Sequence, residues 1–150
     1  MTRKDRFPES AEPVLESVAA NLGFTAPRWK GNLRRIEGSV GGYKTQIEAI
    51  PVRAGGEGSI LPPQWAWKAW FNHKLPRRRW FGDRADPITD PDARSIYKRL
   101  HRERSVVKIR RRRVTVTNYD LTIGPDKIES VMRDLVELVA HLESNPPSDW

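Results

Sequence analysis

RRIEGSVGGYKTQIEA, running from Arg34 to Ala49, is written as a β-hairpin. Gly41 and Gly42 accept the positive φ that a tight two-residue turn needs. Counting outward from that turn sets Val40 opposite Tyr43, Ile36 opposite Ile47 and Arg34 opposite Ala49 on one face. On the other face Arg35 meets Glu48 and Glu37 meets Gln46, pairs of opposite charge or matched polarity.

The alternation continues downstream. Arg53 to Ser59 reads as a flexible loop, and Gln64 to Phe71 as a third strand. That strand sets Trp65, Trp67, Ala69 and Phe71 against Ala66, Lys68 and Trp70. A second group follows from Val107. With a turn over Arg110 to Arg113, Ile109 faces Val114 and Val107 faces Val116. With a second turn at Asn118-Tyr119, Val116 faces Leu121 and Val114 faces Ile123. This gives a three-stranded meander with one apolar face. Arginine adopts positive φ poorly, so the first turn calls for a bulged or longer loop of the same parity.

Three helices flank these strands. Ala11 to Leu22 has Pro13 in its first turn and Gly23 past its end. Asp90 suits an N-cap before Pro91, opening a helix to about His101 with Ala93, Ile96, Tyr97 and Leu100 on its apolar side. Pro125 to Glu143 carries Ile128, Val131, Met132, Leu135, Leu138, Val139 and Leu142 on a buried stripe. The order α-β-β-β-α-β-β-β-α predicts an α+β fold: a two-layer domain with an antiparallel sheet of about six strands and helices on one face. A chain of 150 residues suits a single domain, with an ordered core over about 11–143 and flexible tails at 1–9 and 145–150.

Charge is concentrated rather than spread. Arg94 to Arg113 holds ten Lys and Arg against Glu103 alone, while the whole chain is only +8. Such a patch recruits anions and weakens in salt. Of the 27 cations 19 are Arg. Arginine favours bidentate contacts with phosphate, but a GC-rich genome produces the same bias without functional meaning. The charged N-terminus lacks the apolar run of a signal peptide, and no stretch approaches the roughly 20 apolar residues of a spanning helix. The lack of cysteine favours a reducing compartment, so a cytoplasmic location is expected.

No motif for chemistry stands out. His73, His101 and His141 lie far apart without thiolates, so no metal site is expected from them. Asp83, Asp86, Asp90 and Asp92 cluster as a divalent-cation loop would, but miss the calcium-loop spacing. Asp before Pro makes turns and Asp90 caps a helix, which accounts for the cluster structurally. No nucleophile elbow is present, and neither Gly41-Gly42 nor Gly55-Gly56 leads into a phosphate-binding helix. Catalytic residues and cofactors are therefore not expected.

The leading expectation is a non-enzymatic binding module whose basic helix and hairpin engage a polyanion, nucleic acid foremost. Arg94, Lys98, Arg102, Lys108, Arg110, Arg111, Arg112 and Arg113 would contact phosphates. Lys68, Trp70, Arg77, Arg78 and Arg79 are flanking candidates, with Trp70 outward beside cations as a stacking platform requires. The aromatic motif of RNA-recognition domains is absent. The alternative is an interaction or regulatory adaptor, alone or as a homo-oligomer, that recognises an acidic protein. Polyanion binding by the full set requires the helix cations and the hairpin tip on one contiguous surface.

Overall fold

The computed structural model describes residues 7–25, 27–31, 33–54, 58–76, 88–102 and 104–146, leaving aside the side chains of 28, 30, 33, 53 and 54. A 3-10 turn at Glu9–Ala11 leads into α1 (Glu12–Leu22). Then come β1 (Arg28–Lys30), β2 (Leu33–Val40), β3 (Tyr43–Ile50), the two-residue strands β4 (Arg53–Ala54) and β5 (Ile60–Leu61), and β6 (Gln64–Trp70). Helix α2 (Pro91–Leu100), strands β7 (Ser105–Ile109) and β8 (Arg113–Asn118), and helix α3 (Pro125–Ser144) complete the described elements. The main sheet is antiparallel, in the order β1-β2-β3-β6-β8-β7, with β1 a short edge.

The first hairpin has the register read from its turn. Gly41 and Gly42 have φ of 58° and 85°, and Val40↔Tyr43, Ile36↔Ile47 and Arg34↔Ala49 pair as expected. Cross-strand pairing then carries one buried row through Ile36, Ile47, Trp67, Val116 and Val107. Helix α3 covers this row with Ile128, Met132, Leu135 and Leu142, and contacts α1, α2, β6 and β8. Trp67 Nε1 donates to the Ile128 carbonyl at 3.0 Å, so the buried indole ties the sheet to the first turn of α3 while satisfying its own donor. On the same inner face, a Cβ added at Gly38 would come within 2.4 Å of Phe24 Cδ1, so an alanine there would displace the ring. Arg34 also lies on the inner side, its Nε 3.2 Å from Glu12 Oε1 and its Nη1 donating to Gly31 O at 2.7 Å.

Three expectations need correction. Leu121 and Ile123 form no strand. Asn118 Oδ1 accepts from Asp120 N at 2.7 Å, and Asp120 Oδ1 accepts from Thr122 N at 3.0 Å, so side chains take the amides a ladder would use. Both edges of β8 are already filled, one by β7 and one by β6. Leu121 and Ile123 instead pack half-buried against the core. Secondly, residues 7–9, within the stretch expected as a tail, are described and join the fold. Phe7 is only 5% exposed and meets the Trp65 ring edge-on at 5.3 Å. Thirdly, the segment expected as a loop from Arg53 includes β4, which pairs with β5 as a two-stranded ribbon.

The arginine turn keeps its parity without positive φ, since Arg104 is the only described non-glycine residue in that region. Arg110 N donates to Arg113 O at 2.8 Å and closes the turn. The carbonyls of Arg111 and Arg112 accept from Leu75 N at 2.8 Å and Phe71 N at 2.9 Å. The chain leaving β6 thereby satisfies the tip's outward backbone groups.

Candidate functional site

Because the helices cover one side of the sheet, strand alternation sends every second side chain of β2, β3, β6, β8 and β7 to the opposite, open side. Three cross-strand rows define that side. The first joins Lys44, Trp70, Arg113 and Arg110. Trp70 pairs with Arg113, Lys44 lies one step beyond the Thr45↔Ala69 pair, and Arg110 closes the turn onto Arg113. The second holds Glu37, Gln46, Lys68, Thr115 and Lys108, and the third Arg35, Glu48, Ala66, Thr117 and Val106.

The first row is held together by its ring. Lys44 Nζ lies 5.0 Å and Arg113 Cζ 5.8 Å from the Trp70 ring centroid. The negative π-face draws in two cations that would otherwise repel one another. Among the described residues Lys44, Lys108 and Arg113 make no ion pair with a carboxylate, and all three are exposed. Glu48 is used locally, with Lys68 Nζ and Arg35 Nη2 each 3.8 Å from one of its oxygens. Positive charge therefore dominates at the Trp70 end and is balanced near Glu48.

Between the rows runs a groove of about 630 Å³, with Ala66, Thr115 and Thr117 among its lining. Its far end is less charged, where Ile50, Leu61 and Tyr119 surround Gln64. Two shielded polar atoms on the groove's lining residues, Gln64 Oε1 and Arg35 Nε, have no hydrogen-bond partner among the described residues. A second hollow, of about 540 Å³, lies beside the tip between Trp70, Asn72, His73 and Arg112.

The fold splits the expected cation set. Lys68, Trp70, Lys108, Arg110 and Arg113 share the open face, but Arg94 and Lys98 do not. Helix α2 buries Ala93, Ile96, Tyr97 and Leu100, leaving Arg94 and Lys98 directed to solvent from the helix layer, with Arg102 exposed just past its end. Arg111 has a scaffold role, its Nε donating to Leu75 O at 3.0 Å. Arg112 lines the second hollow. Arg77, Arg78, Arg79, Asp83 and Asp86 lie outside the described residues. Lys44 and Gln64 were missed as site residues. The hairpin register already placed Lys44 outward, but nothing local to either residue says that β3, β6 and β8 are neighbours.

Asp90 caps α2 as expected, its Oδ1 accepting from Asp92 N at 3.4 Å. Its Oδ2 lies 3.0 Å from His141 Nδ1 on the last turn of α3. Donor atoms of Asp90, Asp92 and His141 come within 4.8 Å of one another. The cap engages Asp90 Oδ1, whereas the shielded Oδ2 has no hydrogen-bond partner among the described residues and only the His141 ring beside it. The positive end of the α2 dipole opposes a cation there.

The chain matches no protein-family model, and no curated protein or solved structure shows significant similarity to it. Among the described residues no helix is long and apolar enough to cross a membrane.

Proposed function

We propose that the protein is a non-enzymatic binding module that holds a polyanion, nucleic acid, on the open face of its sheet. The observation that carries this reading is the row Lys44–Trp70–Arg113–Arg110, in which Lys44 and Arg113, with no described carboxylate partner, gather around a half-buried indole ring. Phosphates contacting Lys44, Lys108, Arg110 and Arg113 would release condensed counterions, giving sequence-independent affinity that falls with salt. A chain without cysteine suits the reducing cytoplasm, where nucleic acid is an abundant polyanion.

Titration against single-stranded DNA, RNA, duplex DNA and heparin at two salt concentrations tests the reading. Salt-labile binding to nucleic acid that exceeds binding to heparin supports it. Equal affinity for all ligands would reduce the site to simple polyanion attraction, and no binding at low salt would end the proposal.

One observation favours protein recognition as a second reading. The β4–β5 ribbon and the segment before it expose Val52, Ile60 and Leu61, with Ile60 73% accessible. Apolar side chains this exposed suit contact with another protein surface. A complex that survives high salt and depends on Ile60 would identify this mode.

A further inference from the structure

The Gln64 end of the groove differs in chemistry from its cationic end. Gln64 is 7% exposed and its Oε1 is shielded from water without a described donor. A buried polar atom in that state carries an unrecovered desolvation cost, which a ligand offering a donor would remove. Nearby, Leu61 and Tyr119 are exposed apolar surface, with Tyr119 one step beyond the Trp65↔Asn118 pair and therefore across from Gln64.

Resting on the polyanion reading above, we infer that this end of the groove seats one unpaired nucleobase, so that the protein selects single-stranded over duplex nucleic acid. The ring would lie against Tyr119 and Leu61, while the Gln64 amide turns into the groove and bonds the base edge. A primary amide presents a donor and an acceptor side by side. The Watson–Crick edge of each base carries an adjacent donor and acceptor too, and in a duplex that edge is taken by the opposite strand. An amide there reads the availability of the edge rather than the identity of the base. The phosphates of the same strand would run toward Lys68, Lys108 and Arg113, giving the groove one end for a base and one for backbone charge.

The test compares three ligands of one length in fluorescence anisotropy: an intact single-stranded 12-mer, the same strand with abasic sites throughout, and the duplex. The abasic strand keeps the phosphates and removes every base edge. Wild type should bind the intact strand roughly tenfold more tightly than the abasic one, the scale expected for one stacked base. Gln64→Leu and Tyr119→Ala should each lower intact-strand affinity toward the abasic value while leaving abasic affinity unchanged. Gln64→Leu should fold with an unchanged or raised Tm, because it removes an unpaired acceptor. If it does not fold, the wild-type ligand comparison still decides. Equal, salt-labile binding of intact and abasic strands would overturn this inference and leave the polyanion reading standing. Full discrimination retained by both variants would also overturn it. No binding of any ligand at low salt would overturn both.

Discussion

The molecule has two basic surfaces, and they are built differently. On the helix layer, Arg99 of α2 meets acids of α3. Arg99 Nη2 and Nε lie 2.9 and 3.2 Å from the two Asp134 oxygens, and Glu137 adds a third oxygen at 3.9 Å. These contacts hold the Arg99 guanidinium further toward its charged form. On the open face, Lys44 and Arg113 gather around Trp70, and with Lys108 they have no described carboxylate partner. Charge density along the sequence is therefore a poor guide to surface potential. The run from Arg94 to Arg113 is one block in the chain but is divided between two layers, with Arg99 paired to acids of α3 on one and Lys108 and Arg113 without a described carboxylate partner on the other.

If the helix layer is scaffold and the open face is site, substitutions should separate stability from binding. The largest stability effect belongs to the scaffold. Leu135 is fully buried on α3, so Leu135→Ala should cost about 2–5 kcal/mol through lost burial and a residual cavity. Affinity per folded molecule should stay at the wild-type value. A denaturant midpoint equal to wild type would show that α3 does not contribute to the core as described.

Replacing Lys44, Lys108 and Arg113 together by Gln reverses that pattern. With three phosphates of a single strand no longer neutralised, the slope of log K against log salt should fall by about 2 units. On lowering salt from about 1 M to about 0.1 M the variant should therefore gain roughly a hundredfold less affinity than wild type. Thermal stability should change little, because these exposed cations share no described ion pair. A large drop in Tm would instead mark the row as structural. Trp70→Ala is next in size. Losing the ring that gathers Lys44 and Arg113 should weaken single-strand binding by about 1–3 kcal/mol if a base also stacks there. Unchanged single-strand affinity in a folded Trp70→Ala protein would remove the ring from the site.

The smallest effect is at the junction of α2 and α3. Asp90→Ala removes the α2 cap and should cost about 1 kcal/mol, whereas Asp90→Asn should be nearly neutral because an amide oxygen also accepts from helix-start amides. Neither should alter nucleic-acid affinity. Stabilisation of wild type by millimolar Mg²⁺ or Zn²⁺, lost in Asp90→Asn, would show instead that the Asp90–Asp92–His141 cluster binds metal.

Much of the scaffold was legible because its signals are local. Gly41-Gly42 dictates a register, alternation dictates which side chains share a face, and the Asp90-Pro91 pair marks a helix start. What stayed hidden depends on competition between segments. Leu121 and Ile123 alternate like a strand, but Asn118 and Asp120 capture the backbone amides and β6 occupies the edge they would need. Phe7 sits in a charged stretch with no periodicity, and its burial depends on core partners distant in the chain, Trp65 among them. The site divides in the same way. Parity alone put Lys68, Trp70 and Lys108 outward. Including Lys44 and Gln64 required knowing that β6 lies between β3 and β8, and excluding Arg94 and Lys98 required knowing that α2 covers the other side.

The most direct test of the central claim is a pair of salt titrations on single-stranded DNA. One variant carries Lys44, Lys108 and Arg113 replaced by Gln, the other Arg94, Lys98 and Arg102 replaced by Gln. Both lose three charges, so any difference between them reports position rather than net charge. The open-face variant should lose about 2 units of slope. The helix-layer variant should lose less than about 0.5, since side chains on the opposite layer would make no direct phosphate contact with a strand bound on the sheet. Equal losses in the two variants, or a larger loss from the helix layer, would contradict the assignment of the open face as the binding site.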